Sequence, residues 1–274
     1  MSEKYDIHPI TGEQLPPATA ASTLIIMRDA NDGGAPELLM VERSAKMVFA
    51  AGAAVFPGGR VDDADFAYAN DFTGYIEDEA ACRIAAIRET LEESGLALGV
   101  DGIKDQAQID AARTALHSGK TMQEICENFG WTLDLDQLVP WSRWRPPAFE
   151  TRRVFDTRFY IINAGKASLN AKVDATENRI LFWANAQEVL RRADLAPIEG
   201  AKNEAVHIIF PTRRNLERLA LFDNFADTAE HADEFDAKMV MTYTEKREDG
   251  MWLCIPDGHG FPVIEESFEV AKRG

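Results

Sequence analysis

The chain has 274 residues, of which 46% are hydrophobic and 27% charged, values typical of a soluble globular protein that exclude a disordered, collagen-like or membrane-spanning chain. Its 29 basic and 46 acidic residues leave a net charge of −17, and so acidic a surface excludes general binding to nucleic acid. An anionic ligand would therefore need a local group of arginines or a bound divalent cation.

The cysteines and the N-terminal residues predict the cellular compartment. Cys82, Cys126 and Cys254 form no C-x-x-C pair, which predicts a reducing compartment with neither disulfides nor structural zinc. The first 17 residues are polar and lack the basic and apolar regions of a secretory signal. We therefore expect a cytoplasmic protein with no membrane partner.

The N-terminal part of the chain predicts a tail followed by a hairpin. Residues 1–19 are expected to lie on the surface. Strand-like runs follow at 22–27 and 37–41, and the turn-rich segment 29–34 between them predicts that the two strands pair. A further short strand is predicted at 53–56.

Residues 78–96 form the strongest predicted helix. Its apolar residues recur at helical spacing, and Gly95 stands where a C-terminal cap glycine belongs. The later predicted elements are two helices within 104–129, strands at 154–162 and 179–183, and helices at 186–192 and 213–221. A hairpin of 239–243 with 251–255 is expected to follow the acidic stretch 223–236.

This alternation predicts an α/β fold in three parts. Residues 1–19 form the tail, residues 20–197 the core domain, and residues 198–274 a C-terminal extension that packs on the core. The alternative to packing on the core is that the extension mediates a homodimer.

Four charged side chains share one face of the predicted helix: Arg88, Glu89, Glu92 and Glu93. The three carboxylates lie within ~6 Å of one another, a spacing that destabilises a helix unless a cation is present. Hard oxygen ligands at this spacing suit Mg²⁺ or Mn²⁺. The commoner alternative is a solvated, salt-bridged face. The glycine-rich segment 56–60 before the helix favours a ligand site.

The segment 88–96, Arg-Glu-Thr-Leu-Glu-Glu-Ser-Gly-Leu, resembles the box of the Nudix hydrolases, G-x5-E-x7-R-E-U-x-E-E-x-G-U, where U is a bulky aliphatic residue. Every fixed position of the second half matches, with Thr90 a mild departure at the first U. The first half departs from the pattern, because Gly59 lies 29 positions before Arg88 where the pattern needs 14. Fifteen residues are therefore inserted, and Asp65, Glu77 and Glu79 are candidates for the first box glutamate.

The inserted segment, about 63–77, combines acids with aromatic residues. This composition predicts a lid, or an ordered loop whose aromatic rings lean on the core or on a ligand. We expect the segment to tolerate deletion better than the helix does.

The resemblance implies a fold, a reaction and a set of site residues. The fold is the Nudix α/β/α sandwich with a mixed sheet, and the reaction is hydrolysis of a diphosphate with Mg²⁺ or Mn²⁺ as cofactor. The implied metal ligands are Glu89, Glu92, Glu93, the carbonyl of Gly58 and, as an additional carboxylate, Glu177. Arg88 is implied to hold the glutamates, one of which serves as the base or orients it.

The inserted box and two arginine-containing segments resemble the coenzyme A diphosphatase branch, although Val48 stands at one of its arginine positions. The resemblance implies coenzyme A or an acyl-coenzyme A as substrate, with contacts from Arg43, Arg152, Arg153 and Arg158. Further arginines and aromatic residues nearby are candidates for binding phosphate and stacking on adenine: Arg143, Arg145, Trp141, Trp144, Phe149 and Phe155.

Two alternatives stay open. ADP-ribose or another nucleoside diphosphate sugar is the second candidate substrate. The chain could instead be a ligand-binding protein that keeps a Nudix scaffold without turnover, although loss of the helix carboxylates would mark that class, and all three are present.

Overall fold

The computed structural model describes residues 7–30, 33–42, 52–145, 154–165, 180–195 and 205–271. Within these residues the strands are β1 Ala18–Arg28, β2 Glu37–Glu42, β3 Ala54–Val55, β4 Gly58–Arg60, β5 Val100–Asp101, β6 Thr132–Leu133, β7 Val139–Trp144, β8 Val154–Asn163, β9 Ile180–Asn185, β10 Met239–Val240, β11 Tyr243–Arg247, β12 Gly250–Cys254 and β13 Glu265–Ser267. The helices are α1 Asp63–Ala69, α2 Glu77–Ser94, α3 Gln106–His117, α4 Met122–Phe129, α5 Ala186–Ala193, α6 Phe210–Leu219, α7 Phe225–Glu234 and α8 Phe268–Ala271.

A mixed sheet, eight-stranded in the described part of the chain, forms the centre of the molecule. Strand β1 pairs in parallel with β8, from Ala18 opposite Val154 to Met27 opposite Asn163. On its other side β1 pairs antiparallel with β4 along its first half and with β2 at its end. Strands β7 and β10 extend the sheet beyond β8, and β3 and β9 flank β2.

Helices cover both faces of this sheet. Along β1, Leu24 and Ile26 pack in the core shared with helices α1 to α4, whereas Ile25 and Met27 face the layer of α5, α6 and α7. Side chains that alternate along a strand point to opposite faces, so one buried strand supplies both cores. The architecture is the α/β/α sandwich with a mixed sheet that the sequence predicted.

Helix α2 confirms the predicted helix, and it ends where Gly95 adopts a left-handed backbone with a φ of 71°. It is more buried than the predicted apolar stripe requires. Ala81 and Ala85 lie on the same side of the helix as Glu89 and Glu92, yet both are fully buried because α1 and α3 pack against α2. The acidic face therefore opens only along the last turns of the helix.

Several other predicted elements of the N-terminal two thirds are confirmed, whereas α1 and β7 were not predicted. Strands β1 and β2 pair antiparallel, with Met27 opposite Leu38, as the predicted hairpin requires. Helices α3 and α4 are the pair predicted within 104–129, and β8, β9 and α5 lie where strands and a helix were predicted.

The predicted hairpin of 239–243 with 251–255 is confirmed in its second strand and wrong in its first. Met239 and Val240 form β10, which pairs in parallel with Arg143 and Trp144 of β7 at the edge of the central sheet. The hairpin joins β11 to β12 instead, with Tyr243 opposite Cys254. Val240 is buried beside the sheet edge, a tertiary contact that local alternation of apolar residues does not encode.

The C-terminal residues contribute α6 and α7 to one helical layer and β10 to the sheet. Helix α6 begins at Phe210, earlier than predicted. Pro211 fits its first turn, because the N–H groups there have no acceptor within the helix and a proline loses nothing by lacking one. The acidic stretch forms α7. The domain boundary predicted after residue 197 lies outside the described residues, so the division into core and extension stays a prediction.

The described part of the N-terminal tail contacts both the C-terminal part of the chain and the residue after β7. The His8 Nε2 atom is 3.2 Å from the carbonyl oxygen of Thr242, and Arg145 donates to the carbonyl of Pro16 at 2.6 Å.

All three cysteines are buried and free. Among the described residues, no helix has both the length and the apolar character needed to span a bilayer.

Candidate active site

Strand β4 brings two glycines against the last turns of α2. A Cβ atom at Gly59 would lie less than 3.0 Å from the carboxylate of Glu89, and one at Gly58 would collide with the backbone of β1. The absence of side chains lets β4 pair with β1 while the helix approaches it closely. The Gly58 N–H donates to Glu93 Oε2 at 3.1 Å, so glycine strand and acidic helix share one site.

A buried ion pair fixes the helix to its surroundings. Arg88 Nη2 lies 2.8 Å from Asp65 Oδ2, Arg88 Nε lies 3.0 Å from Asp65 Oδ1, and Asp65 is only 2% exposed. Arg88 also donates to the carbonyl of Arg60 at 2.9 Å. Burial opposes the charge on Arg88, but the hydrogen bond to Asp65 and the charge of Glu89 raise its pKa above the ordinary value. Arg88 thus joins α2 to both α1 and β4.

This ion pair favours one of the three candidates for the acidic residue of the first half of the box. Of the three candidates, Asp65 contacts Arg88, whereas Glu79 pairs with Arg83 and Arg158 and Glu77 lies exposed at the start of α2. Asp65 stands six positions after Gly59, the spacing of the G-x5-E pattern. The extra fifteen residues therefore follow Asp65, where they extend α1 and form its connection to α2.

For the segment 63–77 the structure agrees with the alternative of an ordered segment whose aromatic rings lean on the core, and its tolerance of deletion stays a prediction. The segment contains α1, which supplies the buried carboxylate of Asp65. Its aromatic residues pack against the core around α2: Phe66, Tyr68, Phe72 and Tyr75. Deleting the segment would leave Arg88 without its closest partner.

The three helix carboxylates have different surroundings. Glu89 Oε1 accepts a hydrogen bond from Arg88 Nη1 at 2.9 Å, and Glu92 Oε2 lies 3.8 Å from the same nitrogen. Burial raises the pKa of Glu89 to about 7 against the lowering effect of Arg88, and the charges of Glu93 and Glu92 add to the rise. A cation that approaches carboxyl groups this close together favours their charged forms.

These residues fit a hard divalent cation by the chemistry of their donors. Three carboxylates lie within one turn of a rigid helix, beside the strand whose glycine leaves room for Glu89. In the described residues, no three His, Cys, Asp or Glu side chains lie close enough together to hold a metal ion. The Glu89 carboxylate is hydrogen-bonded to Arg88, and the Glu93 carboxylate to the N–H of Gly58.

Most of the predicted substrate contacts lie outside the described residues, namely those of Arg43, Arg152 and Arg153, as does the additional carboxylate Glu177. Arg158 is described, on β8. Its Nε lies 3.3 Å from Glu79 Oε2, and its Nη1 donates to the carbonyl of Asp78 at 3.2 Å. Arg158 therefore contacts the first turn of α2, at the opposite end from the glutamates, and a contact with substrate stays a prediction.

The expectation that Trp141 and Trp144 stack on adenine is wrong. Both side chains are buried in the core on the face of the sheet opposite α2. Trp141 lies against the guanidinium of Arg218, with its ring centroid 3.8 Å from the Arg218 Cζ atom. Arg143 forms an ion pair with Asp156 within the sheet.

Sequence reasoning missed two residues of α3 beside the acidic turn. Arg113 donates to the backbone carbonyls of Glu92 and Glu93, both at 2.9 Å, and His117 Nδ1 lies 3.5 Å from Glu92 Oε1. No motif marks these residues. The only available signal was their spacing, four positions apart and thus on one face of a predicted helix.

Comparison with known proteins agrees with this geometry. A family described as the NUDT19 Nudix domain matches residues 67–196. The acyl-coenzyme A diphosphatase NUDT19 of Gallus gallus is 25% identical over 245 residues, which cover 70% of this chain and 63% of that protein. Its Xenopus laevis counterpart is 26% identical over 239 residues, which cover 68% of this chain and 60% of that protein. The chain thus spans less than two thirds of the length of these relatives.

One solved structure is similar to this chain over nearly the whole length of the solved chain. It is a NUDIX hydrolase from Alicyclobacillus acidocaldarius, superposed with a TM-score of 0.60 at 25% sequence identity. The match covers 78% of this chain and 96% of the other.

Proposed function

Since the chain belongs to the Nudix hydrolase superfamily, we propose that it is a metal-dependent diphosphatase, which cleaves the diphosphate bond of a nucleoside diphosphate linked to another group. The observation that carries this proposal is the acidic last turn of α2, held against the glycine strand by Arg88 and its buried partner Asp65. A scaffold that only binds a ligand has no need to hold three carboxylates together against their repulsion.

We propose that Glu89, Glu92 and Glu93 hold the cation, Mg²⁺ or Mn²⁺, together with the carbonyl of Gly58 and with Glu177. A cation bound there would neutralise charge on the phosphoryl oxygens and acidify a bound water. Arg88 holds the carboxylate of Glu89 by a hydrogen bond, and Asp65 holds Arg88 in place. One of the glutamates receives or orients the proton of the attacking water.

We propose coenzyme A or an acyl-coenzyme A as the substrate, with ADP-ribose or another nucleotide sugar as the alternative. Support comes from the similarity to relatives named as acyl-coenzyme A diphosphatases and from the arginines Arg43, Arg152, Arg153 and Arg158 in so acidic a chain. Coenzyme A carries a 3′-phosphate that ADP-ribose lacks, and guanidinium groups bind phosphate through paired hydrogen bonds.

Assays with a panel of diphosphates test both the proposed reaction class and the proposed substrate. With Mg²⁺ or Mn²⁺ present we expect kcat/KM to be highest for coenzyme A or an acyl derivative, and the products to be 3′,5′-ADP and a phosphopantetheine. Dephospho-coenzyme A is the matched control for the 3′-phosphate. Equal or better turnover of ADP-ribose would discard the substrate and leave the reaction class, whereas no turnover of any diphosphate would favour the non-catalytic alternative.

Replacing Gly59 by Ala should impair catalysis much more than stability. The new Cβ would lie within 3.0 Å of the Glu89 carboxylate, which is the end of a flexible side chain and can move away. We expect kcat to fall by roughly tenfold or more because displaced active-site groups are costly, with little change in Tm. Gly74→Ala is the control, since a Cβ there meets nothing within 4 Å. A Gly59→Ala enzyme with wild-type kcat would contradict the assigned role of Glu89.

We further propose a cytoplasmic location and a homodimer that uses the C-terminal extension. Light scattering of the purified chain would measure the oligomeric state.

A further inference from the structure

The C-terminal end of α2 needs partners for its last carbonyl groups. The carbonyl of Thr90 accepts from Ser94 Oγ at 2.6 Å, and that of Leu91 accepts from the N–H of Gly95 at 3.0 Å. The next two carbonyls belong to Glu92 and Glu93, whose side chains are proposed to hold the cation. No further turn of helix follows to supply N–H groups to them.

Arg113 of α3 supplies both missing hydrogen bonds. Its Nε donates to the carbonyl of Glu92 and its Nη2 to the carbonyl of Glu93, each at 2.9 Å. One planar guanidinium thus holds two successive peptide groups, which a point charge cannot do with the same geometry. A cation at this end of a helix also lies in the favourable field of the helix dipole.

Two neighbouring features show how closely α3 approaches the C-terminal end of α2. A Cβ at Gly95 would lie 3.2 Å from Arg113 Nη1, so the glycine that ends the helix also leaves space for the guanidinium. One turn further along α3, His117 Nδ1 lies 3.5 Å from the Glu92 carboxylate. Helix α3 therefore contacts both the backbone and the side chain of Glu92.

We propose that Arg113 is a positioning residue for the divalent cation: by fixing the peptide groups of Glu92 and Glu93 it sets where their carboxylates stand. The inference rests on the proposed function, because it assumes that these glutamates hold the cation. Replacing a residue that does not touch the metal but orients its ligands typically lowers metal affinity or activity by 10–100-fold.

The test measures Mn²⁺ binding to the purified full chain, by electron paramagnetic resonance of free Mn²⁺ or by calorimetry, together with kcat and Tm. For Arg113→Met we expect the Kd for Mn²⁺ to rise by about tenfold and kcat to fall. For Arg113→Lys, which keeps the charge but cannot span both carbonyls, we expect an intermediate Kd. If Arg113→Met does not fold, the Lys variant decides by the same criterion.

Arg83→Met is the matched control. Arg83 also donates to two backbone carbonyls, those of Leu135 and Leu138, both at 2.6 Å. It belongs to the first half of α2, however, and the glutamates belong to the last turns. We expect it to lower Tm and to leave the Kd for Mn²⁺ unchanged.

The outcomes separate this inference from the proposed function. A wild-type Kd in Arg113→Met, with only Tm lowered, would reduce Arg113 to a structural cap and overturn the inference. Tighter Mn²⁺ binding in Arg113→Met would overturn it too, because the charge of Arg113 would then be the dominant effect. A wild-type chain that binds no Mn²⁺ would overturn the proposed function itself.

Discussion

Glu93→Gln should lower kcat by about 10³-fold while the protein stays folded. The substitution keeps the size of the side chain, and its amide oxygen can still accept the hydrogen bond from the Gly58 N–H. It removes one of the hard anionic ligands proposed for the cation, and a 10³-fold loss corresponds to roughly 4 kcal/mol of transition-state stabilisation. Glu92→Gln should act in the same direction. Steady-state kinetics with Mg²⁺ or Mn²⁺ measure the effect.

The control for this prediction is Glu77→Gln. Glu77 belongs to the same helix but is exposed in its first turn, so its replacement should leave kcat unchanged. Circular dichroism and Tm show whether each variant is folded. Full activity of Glu93→Gln, or wild-type turnover in excess EDTA, would remove the basis for a cation held by these carboxylates.

Asp65→Asn should destabilise the protein and impair catalysis together. It leaves the buried guanidinium of Arg88 without its closest carboxylate, and breaking a buried ion pair costs roughly 3–5 kcal/mol. We expect about 3 kcal/mol, because Glu89 and Asp62 still lie near Arg88. Freed from Asp65, Arg88 would pair more closely with Glu89 and Glu92, so kcat should fall as well. Denaturant unfolding and steady-state kinetics measure the two effects.

Two substitutions make the Asp65 result specific. Asp62 also faces Arg88, but at 3.5 Å and with 49% of its side chain exposed, so Asp62→Asn should cost less than about 1 kcal/mol. Asp65→Glu keeps the charge and should retain more stability and activity than Asp65→Asn. Equal stability of Asp65→Asn and the wild type would mean that α1 does not brace α2 through this pair.

The second half of the box could be predicted because its chemistry is local. Arg88, Glu89, Glu92 and Glu93 follow one another on a single helix, and helical geometry alone brings them to one face. The α/β class was predictable for a similar reason, since strands and helices alternate along the chain with clear periodicity, whereas the mixed sheet between two helical layers was implied by the resemblance. The resemblance to a known family then supplied the reaction.

The partners of that helix could not be predicted, because they depend on contacts across the fold. Asp65 lies 23 positions before Arg88, and although it follows Gly59 at the G-x5-E spacing, only the packing of α1 beside α2 shows that it pairs with Arg88. Arg113 approaches α2 from another helix, and nothing in its local sequence indicates which carbonyls it will meet. The error at 239–243 has the same origin, since β10 pairs with a strand almost a hundred positions earlier.

The parallel pairing of β1 with β8 constrains the order in which the sheet can be assembled. Ala18 and Val154 lie 136 positions apart, so closing this pair costs much more chain entropy than joining β1 to β2 or β4. During synthesis β1 can pair with those two neighbours long before β8 leaves the ribosome. Until then its second edge presents unpaired backbone groups, a known template for aggregation. The centre of the folded sheet is therefore among the last parts of it to be completed.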